Sequence, residues 1–246
     1  MTEDMRSPEN RDNISKKRGY VFCGGTISEE MMPGIGRALS DRAGAYVVAA
    51  DRGLVFLERH GIVPDLVVGD FDSSPEGFIE SYRAAHPDVP VRTYNPVKDY
   101  TDSEIGARAA AEAGCREVVL IGATGTRLDH VLGNIQVLAY LEEAGVRGMI
   151  VDPCNRITLW GEGPGRKGGE VRIRKDEQWG KYVSLFAYGG DVTGLCLYGF
   201  YYTVHDFLLT AVGSRAVSNE ITEQEGRITY SSGKLLVIES RDMPGH

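Results

Sequence analysis

The sequence predicts an α/β chain: an N-terminal doubly wound, mostly parallel sheet domain followed by a C-terminal antiparallel β-sandwich domain. Two observations carry this. Between residues 18 and 152, apolar runs such as AYVVAA (45–50) and EVVLI (117–121) alternate with helical stretches. Near-continuous Val, Ile and Leu runs suit a parallel sheet covered on both faces. Beyond Asp152 the segments become short and mostly alternating, and glycine clusters at 161–169 and 189–190 and at Gly226 and Gly233 separate several of them. That is the pattern of a small sandwich or barrel. The division expected is a disordered leader over 1–17, an α/β domain over 18–152 and a β-sandwich over 153–246.

In chain order, a strand over 19–25 ends in Gly24 and Gly25, and a polar, helical stretch covers 33–43. The strand at 45–50 stops at Asp51; a short helix over 54–60 is closed by Gly61; a strand over 65–69 meets Asp70. A fourth strand spans 89–94. A helix over 101–113 has Gly114 where a C-cap glycine belongs, and a helix over 128–144 is closed by Gly145. Strands at 117–121 and 146–151 complete the domain. The second domain is expected to hold strands at 156–160, 170–173, 182–187, 195–202, 227–230 and 235–240.

The totals exclude several classes. The 246 residues are 42% hydrophobic and 25% charged, as for an ordinary soluble core. A net charge of −8 argues against non-specific nucleic-acid binding, which draws on clustered Lys and Arg. No apolar run approaches the ~20 residues of a membrane span, and residues 1–17 have no apolar signal-peptide core. Cys23, Cys115, Cys154 and Cys196 show no CxxC spacing, so no zinc site and a reducing, cytoplasmic location are expected.

Ligands of open α/β sheets bind outside the carboxyl ends of the strands. Asp51, Asp70, Asp72 and the 122–130 segment are all expected at that edge. If extended geometry persists past the third strand, Asp70 and Asp72 point to the same side. Two carboxylates roughly 4 Å apart repel by roughly 4 kcal/mol at an effective dielectric of 20, and Mg²⁺ would relieve this, since it takes carboxylate and phosphate oxygens. A turn in which one aspartate caps the following Ser-Ser-Pro is the structural alternative. Asp51 fits a helix cap or turn as well as a metal ligand.

Thr101 and Glu104 form a capping-box pattern, and Asp102 in the first turn suits the helix dipole. That structural reading stands by itself, yet the same helix start offers N–H groups to an anion, with Asp102 on Mg²⁺ and Lys98 on phosphate. In GATGTRLDH (122–130), Gly122 and Gly125 allow close backbone approach, and Arg127 offers a bidentate fork for phosphate. Asp129 and His130 fall in the following helical turn. No GxxxxGK[ST] occurs, so a P-loop is excluded, and 33–36 is not a full dinucleotide fingerprint.

Taken together, these segments resemble the thiamine pyrophosphokinase family, in a bacterial form. The matching pieces are ADRG (50–53), PD (64–65) leading into GDFDS (69–73), KDYTD (98–102), GATG (122–125), RLDH (127–130) and Asn134. In the second half they are GFYY (199–202), SNE (218–220) and GKLLV (233–237). The resemblance implies transfer of pyrophosphate from ATP to thiamine, giving thiamine diphosphate and AMP, by a homodimer with active sites at the subunit interface. It implies Asp70, Asp72 and Asp102 as Mg²⁺ or catalytic carboxylates with Asp51 nearby, and Arg127 and Asp129 on the nucleotide side, where Lys98, Thr101, Gly122, Gly125 and His130 also fall. Tyr202 matches an aromatic against which thiamine packs, and Ser218 and Asn219 match polar contacts to it. Arg52, Thr126 and Thr203 depart from the family's usual Gly, Gly and Pro. Two other readings stand beside it: a diphosphokinase for another alcohol such as a hydroxymethylpterin, which keeps the same carboxylates, and a non-catalytic nucleotide or thiamine sensor, against which the intact acidic set argues.

Overall fold

A computed structural model describes residues 17–71, 77–94, 99–162 and 167–243. Asp72, Lys98 and nearly all of the expected leader lie outside the described residues. The chain divides into two compact units, Met1–Gly148 and Met149–His246.

In the first unit, β1 (Arg18–Phe22), β2 (Ala45–Ala50), β3 (Leu66–Gly69), β4 (Val91–Thr93) and β5 (Glu117–Ile121) alternate with helices. These are α1 (Met32–Ala38), α2 (Gly53–Arg59), α3 (Phe78–Ala85), α4 (Asp102–Glu112) and α5 (Leu128–Glu143). The spatial order is β4-β3-β2-β1-β5, and every pair is parallel. In the centre, Val21 pairs with both Val48 and Leu120. The three are fully buried, because helices cover both faces of the central strands. α4 packs across β1 and β2. Its inner positions are Gly106, Ala107 and Ala110, and a Cβ at Gly106 would come within 2.8 Å of Val21 Cγ1. Small residues therefore set how closely this helix approaches the sheet. α5 buries Val137, Leu138 and Leu141, each worth about 1.5–3 kcal/mol by area.

In the first unit two helical segments differ from the sequence expectation. The helix expected over 33–43 ends at Ala38, and a 3₁₀ turn at Arg42–Gly44, capped by Asp41, separates it from β2. α3 is not anticipated at all. Its apolar residues Phe78, Ile79, Tyr82 and Ala85 share one side, but eight residues with only Tyr82 buried are too few for the period to stand out.

β6 (Arg147–Val151) spans the division and pairs antiparallel with β7 (Asn155–Trp160). The second unit continues with β8 (Gly169–Arg174), β9 (Tyr182–Tyr198), β10 (Val204–Leu209), β11 (Asn219–Glu220), β12 (Glu225–Tyr230) and β13 (Ser232–Ser240). Strands β7-β13-β9 form one antiparallel layer and β9-β12-β8 another, with β10 and β11 also paired to β9. The two strands expected at 182–187 and 195–202 are thus a single strand of 17 residues. Gly189 (φ 72°), followed by Gly190, sits at its middle and lets one strand serve both layers. Alternate residues meet in one core: Val171 and Ile173, Val183 and Leu185, Leu195 and Leu197, Ile228 and Tyr230, Leu235 and Val237. Among the described residues no helix is long and apolar enough to cross a membrane.

Candidate active site

The chain lays down β1 to β4 on one side of the sheet and then returns to place β5 against the other side of β1. A crevice is expected outside the carboxyl ends of the strands where the order reverses. A cavity of about 440 Å³ lies there. The segments after β1 (Gly24, Gly25, Thr26), β2 (Asp51, Arg52) and β5 (122–127) line it, together with Thr101, Asp102 and Ser103 at the start of α4 and His130, Val131 and Asn134 on α5.

Two glycines make the floor. Gly25 N–H donates to the Gly122 carbonyl at 3.0 Å, and a Cβ at Gly25 would collide with that same carbonyl. Gly122 has φ 71°, and a Cβ there would lie 2.7 Å from Ile27 Cγ1. Only glycine allows the loops after β1 and β5 to touch this way. Asn134, buried within α5, donates from Nδ2 to the Ala123 carbonyl at 2.7 Å and fastens the loop after β5 to its own helix.

Asp51 turns the chain in a left-handed conformation (φ 49°), and its N–H donates to the Val68 carbonyl at 2.9 Å. Its carboxylate lies beside Gly24, where a Cβ would be 3.1 Å from Oδ2. Asp70 follows β3 at the same edge, half-buried, and Gly69 backs onto the Asp51 main chain. The extended geometry assumed for Asp70 and Asp72 does not persist: β3 ends at Gly69, and Phe71 has φ 58°. Strand alternation therefore says nothing about where Asp72 points, and Asp72 itself lies outside the described residues.

Asp102 opens α4. The Thr101 hydroxyl accepts from Glu104 N–H at 3.3 Å, as the capping pattern predicts. The Glu104 carboxylate accepts from Arg108 at 3.0 and 2.8 Å, and the Arg108 guanidinium lies over the Tyr100 and Tyr140 rings at 4.4 and 3.8 Å. Arg108 thereby ties the start of α4 to α5. At the rim, Arg127 donates to both Asp129 oxygens at 3.2 and 2.6 Å, although both side chains are exposed. Arg127 is the chief cause that holds the Asp129 carboxyl down at about 2; the His130 N–H adds to it at 2.9 Å.

Besides the His130 imidazole, the site offers carboxylates, hydroxyls and main-chain carbonyls, and these oxygens suit a hard cation such as Mg²⁺. Among the described residues no three His, Cys, Asp or Glu side chains are close enough together to hold a metal ion.

The family model for the thiamin pyrophosphokinase catalytic domain matches residues 40–150, and that for the thiamin pyrophosphokinase vitamin B1 binding domain matches 170–235. Thiamine pyrophosphokinase from Bacillus subtilis is 32% identical over 195 residues, 79% of this chain and 87% of that protein. This chain belongs to the thiamine pyrophosphokinase family. A crystal structure of thiamine pyrophosphokinase from Bacillus subtilis superposes with a TM-score of 0.80 at 28% identity, covering 92% of this chain and 100% of the other. That of thiamin pyrophosphokinase from Geobacillus thermodenitrificans does so at 0.76 and 31%, covering 92% and 99%.

The catalytic-domain match takes in Asp51, Asp102, Gly122, Gly125, Arg127, Asp129 and His130 but not Gly24–Gly25–Thr26. The sequence reading treats those residues only as a strand end, because strand order, which makes that end part of the cavity, is not visible in a local pattern. In the second unit, Tyr202 is exposed and meets Tyr201 edge-on at 4.8 Å. Asn219 is buried and makes three hydrogen bonds: Oδ1 accepts from Tyr202 N–H at 3.0 Å and from Glu220 N–H at 2.9 Å, and Nδ2 donates to the Tyr202 carbonyl at 2.7 Å. Ser218 is exposed at φ 58°, with its N–H on Ser184 Oγ at 3.0 Å. The structure thus brings Asn219 to the Tyr202 main chain, a fixing contact that residue spacing does not reveal.

Proposed function

We propose that the cavity at the β1/β5 reversal is where this thiamine pyrophosphokinase binds the phosphates of ATP and transfers pyrophosphate to thiamine. The observation that carries the reading is the meeting of Asp51, Asp102 and Arg127 around glycine-floored loops at one strand edge. In the transfer, the thiamine hydroxyl oxygen bonds to the β-phosphorus. The bond from that phosphorus to the α,β-bridging oxygen breaks, its electron pair leaves with AMP, and the hydroxyl proton passes to a carboxylate, Asp72 or Asp102. Asp70, Asp72 and Asp102, with Asp51 beside them, are the oxygens that would hold Mg²⁺; when bound it neutralises charge on the phosphate oxygens. Most of the rate gain then comes from alignment and charge stabilisation.

Lys98, Thr101, Gly122, Gly125, Arg127, Asp129 and His130 form the nucleotide side of the proposal, with Asp129 holding the Arg127 fork in place. Tyr202 packs against thiamine, Ser218 contributes a polar contact, and Asn219 acts by holding Tyr202. The assembly proposed is a cytoplasmic homodimer, which gives partners to the exposed Tyr201, Tyr202 and Leu208.

Asp102→Asn tests the reading. It preserves side-chain size, so the melting temperature is expected to stay unchanged while kcat falls about 100-fold or more, the scale for losing one electrostatic group in a transition state. An Asp102→Asn enzyme with wild-type kcat would remove this cavity from the chemistry. Tyr202→Ala is expected to raise KM for thiamine and leave KM for ATP unchanged.

A further inference from the structure

We infer that Arg52 is a phosphate-binding residue for ATP, a second guanidinium of the cavity beside Arg127 and one that no carboxylate engages among the described residues. The inference rests on the assignment of this cavity to the nucleotide. Arg52 and Arg127 are the two arginines that line it among the described residues. Arg127 is engaged through both Nε and Nη2 by Asp129, at 3.2 and 2.6 Å, so its charge is already shared with a carboxylate. Arg52 is exposed, and among the described residues no ion pair or side-chain hydrogen bond engages it.

Its backbone, by contrast, is fixed. Asp51 before it holds the left-handed turn at the end of β2. Gly53 after it lies so close to β1 that a Cβ would collide with the Phe22 carbonyl. The Arg52 nitrogen is 3.8 Å from where a Gly24 Cβ would stand, so the residue rests on the loop after β1. A long cationic side chain that lines the cavity therefore has an anchored base beside the loop after β1. Among the described residues, the lining carries the carboxylates of Asp51 and Asp102 beside the guanidiniums of Arg52 and Arg127, and Asp129 pairs with Arg127 at the rim. A polyphosphate adds further negative charge. Carboxylates that hold a divalent cation would compensate part of this charge. The rest needs donors, and a planar guanidinium with five N–H groups supplies them bidentately.

The test compares wild type, Arg52→Ala and Arg52→Lys by calorimetric titration with Mg²⁺ plus α,β-methylene-ATP, with inorganic tripolyphosphate and with AMP, all without thiamine. Arg52→Ala is expected to weaken α,β-methylene-ATP and tripolyphosphate by about ten- to a hundredfold, the loss of one or two hydrogen bonds to a charged group. AMP is expected to change less than about threefold, since the inference concerns the polyphosphate. Arg52→Lys should recover only part of the loss, because an ammonium lacks the fork. KM for ATP rises with these losses, and KM for thiamine does not. Polyphosphate binding by Arg52→Ala equal to wild type, or equal losses for AMP and tripolyphosphate, would overturn the inference while leaving the cavity's assignment intact. Wild-type protein that binds neither α,β-methylene-ATP nor tripolyphosphate would instead remove the assignment, and the inference with it. Arg52→Lys serves if Arg52→Ala proves unstable: polyphosphate affinity at the wild-type level in that variant would likewise reject a role for the fork.

Discussion

Asp51 and Phe71 adopt left-handed backbone angles, 49° and 58°, just after adjacent parallel strands. An aspartate tolerates this better than a phenylalanine, and such strain gathers where a site requires it. Beside them, three single residues give separate tests. Asn134→Leu removes the donor to the Ala123 carbonyl and should cost about 1–3 kcal/mol, the penalty of an unpaired buried acceptor, read as a fall in the denaturation midpoint. Asp129 has a folded pKa depressed below its unfolded value of about 3.9. The Arg127 pair therefore contributes its stability fully above the unfolded value and loses it as pH falls towards about 2. An NMR titration should place the Asp129 carboxyl midpoint near 2; a midpoint at the ordinary aspartate value would show that Arg127 does not engage it. Cys23 is pushed up to about 12 by burial, so its thiol stays protonated and shielded at pH 8. Iodoacetamide should leave Cys23 unlabelled in the native protein and label it after unfolding.

Elements add cooperation between such residues. Arg156 on β7 and Glu239 on β13 are register partners, joined by two hydrogen bonds of 2.6 Å, and Glu239 also accepts from Trp179 N–H at 3.0 Å. Glu239 is buried, so Glu239→Ala leaves Arg156 uncompensated and should destabilise the protein by about 3–5 kcal/mol, measured by chemical denaturation. A loss within experimental error would mean that water reaches the pair. This scale also shows what a sequence discloses. β2 and β5 are legible as apolar runs, and the start of α4 as Thr101 with Glu104, because each signal is complete within a few residues. α3 is hidden because eight residues are too few for its one-sided pattern to stand out, and β9 reads as two strands because Gly189 and Gly190 interrupt the apolar pattern without ending the strand.

For the molecule as a whole, the carboxyl-edge location of Asp51, Asp70 and the 122–130 segment is legible once the strands are known to be parallel. The reversal between β1 and β5 is not, since strand order depends on pairings across the whole first unit. That is why Gly24, Gly25 and Thr26 join the cavity only in the structure, while Asp51 and Asp102 are nameable beforehand. The homodimer belongs to this scale too: light scattering behind a sizing column should give twice the 26.9 kDa chain mass, and a mass of one chain would exclude it. The central claim is pyrophosphate transfer from ATP to thiamine at this cavity. Its most direct test is quantitative chromatography of the products formed by the purified protein from ATP, Mg²⁺ and thiamine. The account predicts AMP and thiamine diphosphate in equal amounts; ADP with thiamine monophosphate, or no thiamine diphosphate at all, would contradict it.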